Sequence, residues 1–597
     1  MCSNETVVKA FASINNWKAQ PWSDTIGLMV FLLAFFLQAP PPPPPSYVPS
    51  AAEMADLRSK AEPLKAATNP DVTVYYKAIE WVLRYPEEFF TKAYMANAQN
   101  VIKHGLDRMK NGVPAKGRFS RGYISRVDGS VQPYAMLVPD SYDPKKPTRL
   151  DVVLHGRGAT LTEVSFLASH DSEKAVPADQ DGLVMEVFGR TNNAYRYAGE
   201  TDVFEALEAA RKNYNVDPDR IVLRGFSMGG AGAWGVGLHY PSQWAAIEAG
   251  AGFTETIKYA KLKEISDVQR QLLHVYDAVD YSLNAWDVPT VGYGGEIDPQ
   301  LAASTNMKEA LAGLPGFRTL FLIGPQTAHK FHPDSKKESD AFINRNLPRK
   351  APERVRFVTY TPRYGEVFGI HIDALEKMYS KAELDAKGSE IKTSNVARLT
   401  LDKARSVTID GQTLTGAKFE KANGKWEARF SNALWKRHGL SGPIDDAFME
   451  SFLCVGDTGQ FGKDFAKWMR GDVRTKKAGD VTKEDMTTSN LVLFGEPSTN
   501  PLIAKIASKL PITWKNGEIV AGAKKFSAAD HTLVMIYPNP LNPNKYVVLN
   551  SGHTFGEKDF KGTNALLYPR WGDYAVIEKK TGAVKMSGLF DEHWRLQ

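Results

Sequence analysis

Three residue types suited to acyl transfer stand in order along this chain: a serine, then a carboxylate, then a histidine. Ser227 lies in Arg224-Gly-Phe-Ser-Met-Gly-Gly230, directly after the apolar run Ile221-Val-Leu223. The stretch fits G-x-S-x-G, in which a strained turn from strand to helix lifts the hydroxyl clear of its neighbours and glycines avoid backbone clashes. A serine hydroxyl is a poor nucleophile near neutral pH, so it needs a base to take its proton and an acid to orient that base. For a serine on such a turn the partners follow in the order acid, then histidine. The strand-like VPTVGYGG runs into Glu296-Ile-Asp298, and TLFLIG runs into Pro325-Gln-Thr-Ala-His329-Lys-Phe-His332. Asp298 and His329 are the first candidates for acid and base, with Glu296 and His332 as the alternatives. His329-x-x-His332 also has metal-pair spacing, but no third ligand stands at convincing spacing, so neither a metal nor another cofactor is expected.

An attacked carbonyl develops negative charge on its oxygen, and that charge needs donors. The amide of Met228 is one candidate, and Gly156 and Arg157 in His155-Gly-Arg-Gly158, after the strand-like LDVVL, are the others. Removing one such donor typically costs about 3–4 kcal/mol of transition-state stabilisation. His155 reads as a packing or hydrogen-bonding residue. For the Arg157 side chain, a salt bridge within the protein is expected ahead of a contact with substrate.

These groups need elements to position them. Ala51 to Lys116 carries apolar residues at three- and four-residue steps and reads as helical. SVQPYAMLVP and RLDVVLHGRG then read as strands. Asp202–Tyr214 places Val203, Ala206, Leu207, Ala210 and Tyr214 on one helical face, and Asp202 with Glu205 has the spacing of a capping box. Strand–helix alternation up to Lys350 signals a mostly parallel sheet covered by helices. Ala351–Pro443 turns to β-branched, turn-rich text, and the remainder alternates again. The expected layout is residues 1–50 as a signal-like segment with a proline spacer, 51–116 as a helical region, 117–350 as the catalytic α/β domain, 351–443 as a β-rich domain and 444–597 as a C-terminal α/β domain.

Composition excludes some partners. The 597 residues are 43% hydrophobic and 24% charged, as in ordinary globular proteins, and 74 basic against 68 acidic residues leave a net charge of +6. No Lys/Arg block is dense enough to suggest nucleic acid. Cys2 and Cys454 give no disulfide framework, and Cys454, in an apolar run, reads as a small buried hydrophobe. Ile26–Ala39 carries no charge and is shorter than the ~20 residues of a membrane-spanning helix, so it suits the apolar part of a secretory signal. Pro40–Pro45 then forms a stiff spacer. Export is the expectation, an N-terminal membrane anchor the alternative, and no transmembrane span is expected in the mature chain.

The pieces YISRVDGSVQPYAMLVPDSY, LDVVLHGRG, DVFEALEAARKNYNVDPDRIVLRGFSMGGAGAW, GGEID and PQTAHKFH resemble the α/β-hydrolase superfamily. Within it they are similar to the prolyl-oligopeptidase-like and dienelactone-hydrolase-like serine hydrolases and to feruloyl and acetyl esterases. The resemblance covers about Gly117 to Leu347. The remainder, with FVTYTPRYGEVFGIHIDALE and GPIDDAFMESFLCVGDTG, resembles the C-terminal half of large exported bacterial hydrolases. What the resemblance implies is an α/β-hydrolase domain that cleaves small or polysaccharide-linked carboxylic esters through an acyl-enzyme. Cleavage of short peptides, and binding of a surface partner without catalysis, are the alternatives. True prolyl oligopeptidases carry a β-propeller ahead of the hydrolase domain, whereas the text before Leu150 here is short and helical. Outside this region, Asp445-Asp446 reads as calcium binding or helix capping, and His553 as a strand-end loop residue.

Overall fold

Chain-stiffening caps set the first elements. Ser50 and Glu53 form a reciprocal capping box that opens helix α1 (Ala51–Lys65). Asn69 caps α2 (Pro70–Arg84), whose first residue, Pro70, has no amide hydrogen to lose. With α3 (Lys92–Asn111) these helices bury Leu57, Tyr75, Ile79, Ala98 and Ile102 against one another. The computed structural model describes residues 47–171 and 175–597. The apolar segment Ile26–Ala39 and the proline run lie outside them. No helix among the described residues is long and apolar enough to cross a membrane.

An eight-stranded sheet follows: β1 (Gly117–Ile124), β2 (Val131–Val138), β3 (Thr148–Leu154), β4 (Leu183–Val187), β5 (Val216–Phe226), β6 (Ala246–Gly250), β7 (Thr290–Gly295) and β8 (Thr319–Gly324). Its order is β1-β2-β4-β3-β5-β6-β7-β8. The first two strands pair antiparallel, and every pair from β4 to β8 is parallel. Parallel strands need crossovers, and helices supply them: α4 (Glu163–His170), α5 (Ala198–Asn213), α6 (Met228–His239), α7 (Asp267–Leu273) and α8 (Leu301–Ala310), with α9 (Pro333–Arg345) following the last strand. This is the α/β-hydrolase sheet order, and the loops after β3, β5, β7 and β8 open at the carboxyl ends of the strands, where ligands bind in such sheets.

One local expectation is corrected. Helix α5 begins at Ala198, so Asp202 sits inside it rather than at its N-terminus. Instead of capping, the fully buried Asp202 receives Arg190 Nε at 3.1 Å, and the same guanidinium donates to Asp128 at 2.6 Å. The tertiary ion pair overrides the local spacing. Removing one member of such a buried pair typically costs 3–5 kcal/mol.

Residues 354–427 form a second eight-stranded sheet, a seven-stranded mixed sheet spans 452–588, and three short strands between 513 and 527 make a fourth sheet. The buried hydrophobic core runs without a break from Phe119 in β1 to Trp594. Buried ions reinforce it: Arg470 donates to Glu88, after α2, and to Glu163, at the start of α4. Burial alone would raise the Glu163 carboxyl, but Arg470 and Lys77 outweigh it and hold the group at about 2. Asp445 and Asp446 are structural: Asp445 accepts the amide and hydroxyl of Thr554, and Asp446 pairs with Arg363. Cys454 is buried in the seven-stranded sheet, and burial pushes its thiol up to about 12.

Candidate active site

The turn between β5 and α6 explains its own glycines. Ser227 has φ 60° and ψ −123°, a left-handed conformation that a β-carbon makes costly. The turn holds because the backbone around it is packed to contact. A β-carbon on Gly229 would lie 1.9 Å from Leu154 O, and one on Gly225 would lie 2.0 Å from Gly229 O. One on Gly230 would lie 2.1 Å from Gly250 O. The amide of Ser227 donates to Gly250 O at 2.8 Å and ties the elbow to β6. Helix α6 then runs through small residues to His239, and Pro241 follows its end.

The loops after β7 and β8 bring two further groups to the serine. His329 Nε2 lies 2.8 Å from Ser227 Oγ, and His329 Nδ1 lies 2.7 Å from Asp298 Oδ2. Asp298 is buried, while the His329 side chain is 43% exposed, so the imidazole stands at the protein surface on a fixed acid. The other Asp298 oxygen accepts the amide of Gln300 at 2.9 Å. The ring of His329 also leans on Phe226, with centroids 4.9 Å apart.

The two alternatives have other partners. Glu296 Oε2 accepts the amide of Gln326 at 2.7 Å, so it pins the His329 loop and does not touch the imidazole. His332 caps α9 through its backbone, and its amide donates to the Tyr293 hydroxyl at 2.8 Å. Its ring Nδ1 is buried without a hydrogen-bond partner among the described residues, where also no group of three His, Cys, Asp or Glu could hold a metal ion. Tyr293, which the sequence reading passed over, braces this loop. Its hydroxyl donates to Lys330 O at 2.8 Å, and its ring stacks on Phe331 at 4.0 Å. No local signal marks it as a brace, since its partner lies 37 residues farther along the chain.

The loop after β3 lies against the elbow: a β-carbon on Gly156 would be 3.5 Å from Ser227 Cβ. Among the described residues, none accepts a hydrogen bond from the amides of Gly156, Arg157 or Met228. These are the three donors expected for an oxyanion. His155 is structural, its ring nitrogens contacting Gly156 O at 2.9 Å and Phe188 O at 2.8 Å. The expected salt bridge of Arg157 is not formed. Its guanidinium meets carbonyl groups instead, Gly562 O at 2.8 Å and Asn564 Oδ1 at 3.1 Å, and burial lowers its pKa from the ordinary value.

Comparison with known proteins adds to this geometry. Residues 190–309 match the prolyl oligopeptidase family, Peptidase_S9. Dipeptidyl-peptidase 5 of Porphyromonas gingivalis is 25% identical over 247 residues, covering 35% of this chain and 36% of that protein. The chain thus spans about a third of the length of the curated relative it matches. Among solved structures, a ferulic acid esterase is similar at 18% identity over 39% of this chain and 100% of its own, with a TM-score of 0.29. An S-formylglutathione hydrolase from Agrobacterium tumefaciens is similar at 17% identity over 39% of this chain and 97% of its own, with a TM-score of 0.31. The sheet order, the serine elbow and the match over 190–309 together make the region around Ser227 an α/β-hydrolase domain of prolyl-oligopeptidase-like sequence.

Proposed function

We propose that this protein hydrolyses carboxylic esters through an acyl-enzyme on Ser227, with His329 as general base and acid and Asp298 as its orienting acid. The observation that carries the reading is the continuous hydrogen-bonded chain from Ser227 Oγ through His329 to Asp298. Ser227 Oγ attacks the ester carbonyl and passes its proton to His329 Nε2. Asp298 Oδ2 holds the Nδ1–H, fixing the tautomer and stabilising the imidazolium that forms. The amides of Met228 and of the Gly156–Arg157 loop receive the oxyanion. His329 then protonates the departing alcohol, and a water activated by the same imidazole releases the acid.

The substrate in this reading is a small or polysaccharide-linked ester, and the enzyme is exported. Export rests on the uncharged Ile26–Ala39 segment and the proline run after it. A second reading, cleavage of short peptides, is favoured by the match to the prolyl oligopeptidase family and to a dipeptidyl-peptidase. Both readings use the same hydrogen-bonded chain of Ser227, His329 and Asp298. Turnover of p-nitrophenyl acetate and feruloyl esters, compared with aminoacyl-nitroanilides, separates the two. Ester turnover that disappears in Ser227→Ala is expected, and faster turnover of the anilides would move the assignment to a peptidase.

A further inference from the structure

The C-terminal part of the chain meets the loop after β3 through the short helix Glu557–Lys561 and the segment that follows it. Arg157 donates to Gly562 O, to Asn564 Oδ1 and, at 3.4 Å, to Phe560 O. Asn564 is buried, and its Nδ2 donates to Asn192 O at 2.8 Å. Asn192 in turn receives the Gly158 amide on Oδ1 at 3.1 Å and donates from Nδ2 to Gly158 O at 2.8 Å. Arg157, Asn564, Asn192 and Gly158 therefore close a ring around the loop that carries the unpaired amides of Gly156 and Arg157. On its other side the segment is fastened by Arg196, whose Nη1 donates to Leu567 O at 2.8 Å. Behind it, Phe560 stacks on Trp468 with centroids 5.3 Å apart, and Arg570 donates to Leu566 O at 2.8 Å.

From this ring we infer that the segment Phe560–Leu567 holds the oxyanion loop in its working position, with Asn564 and the Arg157 side chain as positioning residues. The inference rests on the acyl-transfer reading of Ser227. A loop with no secondary structure of its own keeps two amides aimed at one point only if its side chains are held from outside. Asn564 suits the task because one amide group accepts from Arg157 and donates to Asn192 together. The C-terminal unit is on this account part of the hydrolase site. Misplacing a donor by about 1 Å costs on the order of 100-fold in rate.

The test uses the full chain and p-nitrophenyl acetate, with kcat and KM measured separately. Asn564→Ala and Arg157→Met are expected to lower kcat by about 10–100-fold with KM within about twofold. Arg157→Lys, which keeps a donor for the carbonyls, is expected to recover part of the loss. Lys103→Ala, in the exposed Lys103–Asp107 pair of helix α3, is expected to leave kcat unchanged. If Asn564→Ala fails to fold, Arg157→Met and Arg157→Lys carry the test. A kcat within twofold of wild type in folded Asn564→Ala or in Arg157→Met, or a loss confined to KM, would overturn the inference. A wild-type protein that turns over no acyl substrate and leaves Ser227 unlabelled by fluorophosphonate would instead overturn the reading on which it rests.

Discussion

Glu296 Oε2 accepts the backbone amide of Gln326 at 2.7 Å, spanning the loops after β7 and β8. Two residues farther on, Asp298 holds the imidazole of His329. Two carboxylates on one loop thus divide the work, one fixing the loop and one fixing the ring.

The division predicts different kinetics for two isosteric changes. Asp298→Asn removes the acceptor for Nδ1–H and favours the wrong tautomer, and kcat should fall by about 10⁴-fold. Glu296→Gln keeps an oxygen for the Gln326 amide, and kcat should stay within several-fold of wild type. Steady-state kinetics on p-nitrophenyl acetate checks both, and the reverse pattern would assign the acid role to Glu296.

Glycine substitutions around the elbow should separate by the space each has. Gly229→Ala and Gly225→Ala put a methyl group within 2.0 Å of backbone oxygens that cannot move alone. Each should destabilise the protein by several kcal/mol and abolish activity. Gly235, in the same helix α6, has nothing within 4 Å of its β-carbon position. Gly235→Ala should raise stability by about 0.5–1 kcal/mol, since alanine loses less conformational freedom in a helix. Thermal denaturation of the three variants measures the contrast.

Much of this site was legible because its chemistry is local. Gly225, Ser227 and Gly229 sit within five residues, and the steric reason for them is a turn that the sequence itself encodes. Asp298 and His329 could be read because each follows a strand of apolar residues, so the sheet places both loops at one end. Tyr293 and Asn564 were not legible in the same way. Their partners, Lys330 and Arg157, are distant in sequence, and nothing about a lone tyrosine or asparagine announces a distant backbone or guanidinium. Asp202 misled for the same reason. Its spacing to Glu205 satisfies a capping rule, but Arg190, on a loop with its own left-handed residues, claims it as a buried partner.

The buried carboxyl of Glu200 gives the stability a pH dependence. Burial raises it to about 7, against the opposing hydrogen bonds of Tyr240 and Tyr364. The folded state therefore binds a proton that the unfolded chain releases near pH 4.5, so this group's contribution falls as pH rises from about 4.5 to 7 and stays unfavourable above. Glu200→Gln mimics the protonated form and should remove a loss on the order of 1–3 kcal/mol at pH 8 while changing little at pH 4.5. Asp277, also raised to about 7 by burial, keeps its own share of the slope in that variant. Urea melts at the two pH values measure the difference, and an equal effect at both would contradict the assignment.

The central claim is that the Ser227 hydroxyl is activated by the His329 imidazole 2.8 Å away. The direct measurement is the rate of fluorophosphonate adduct formation, localised by peptide mapping, in wild type, Ser227→Ala and His329→Ala. The account predicts one adduct, on the peptide carrying Gly225–Gly230, absent in Ser227→Ala and formed at least about 1,000-fold more slowly in His329→Ala. An adduct that persists in Ser227→Ala, or forms at the wild-type rate in His329→Ala, would contradict it.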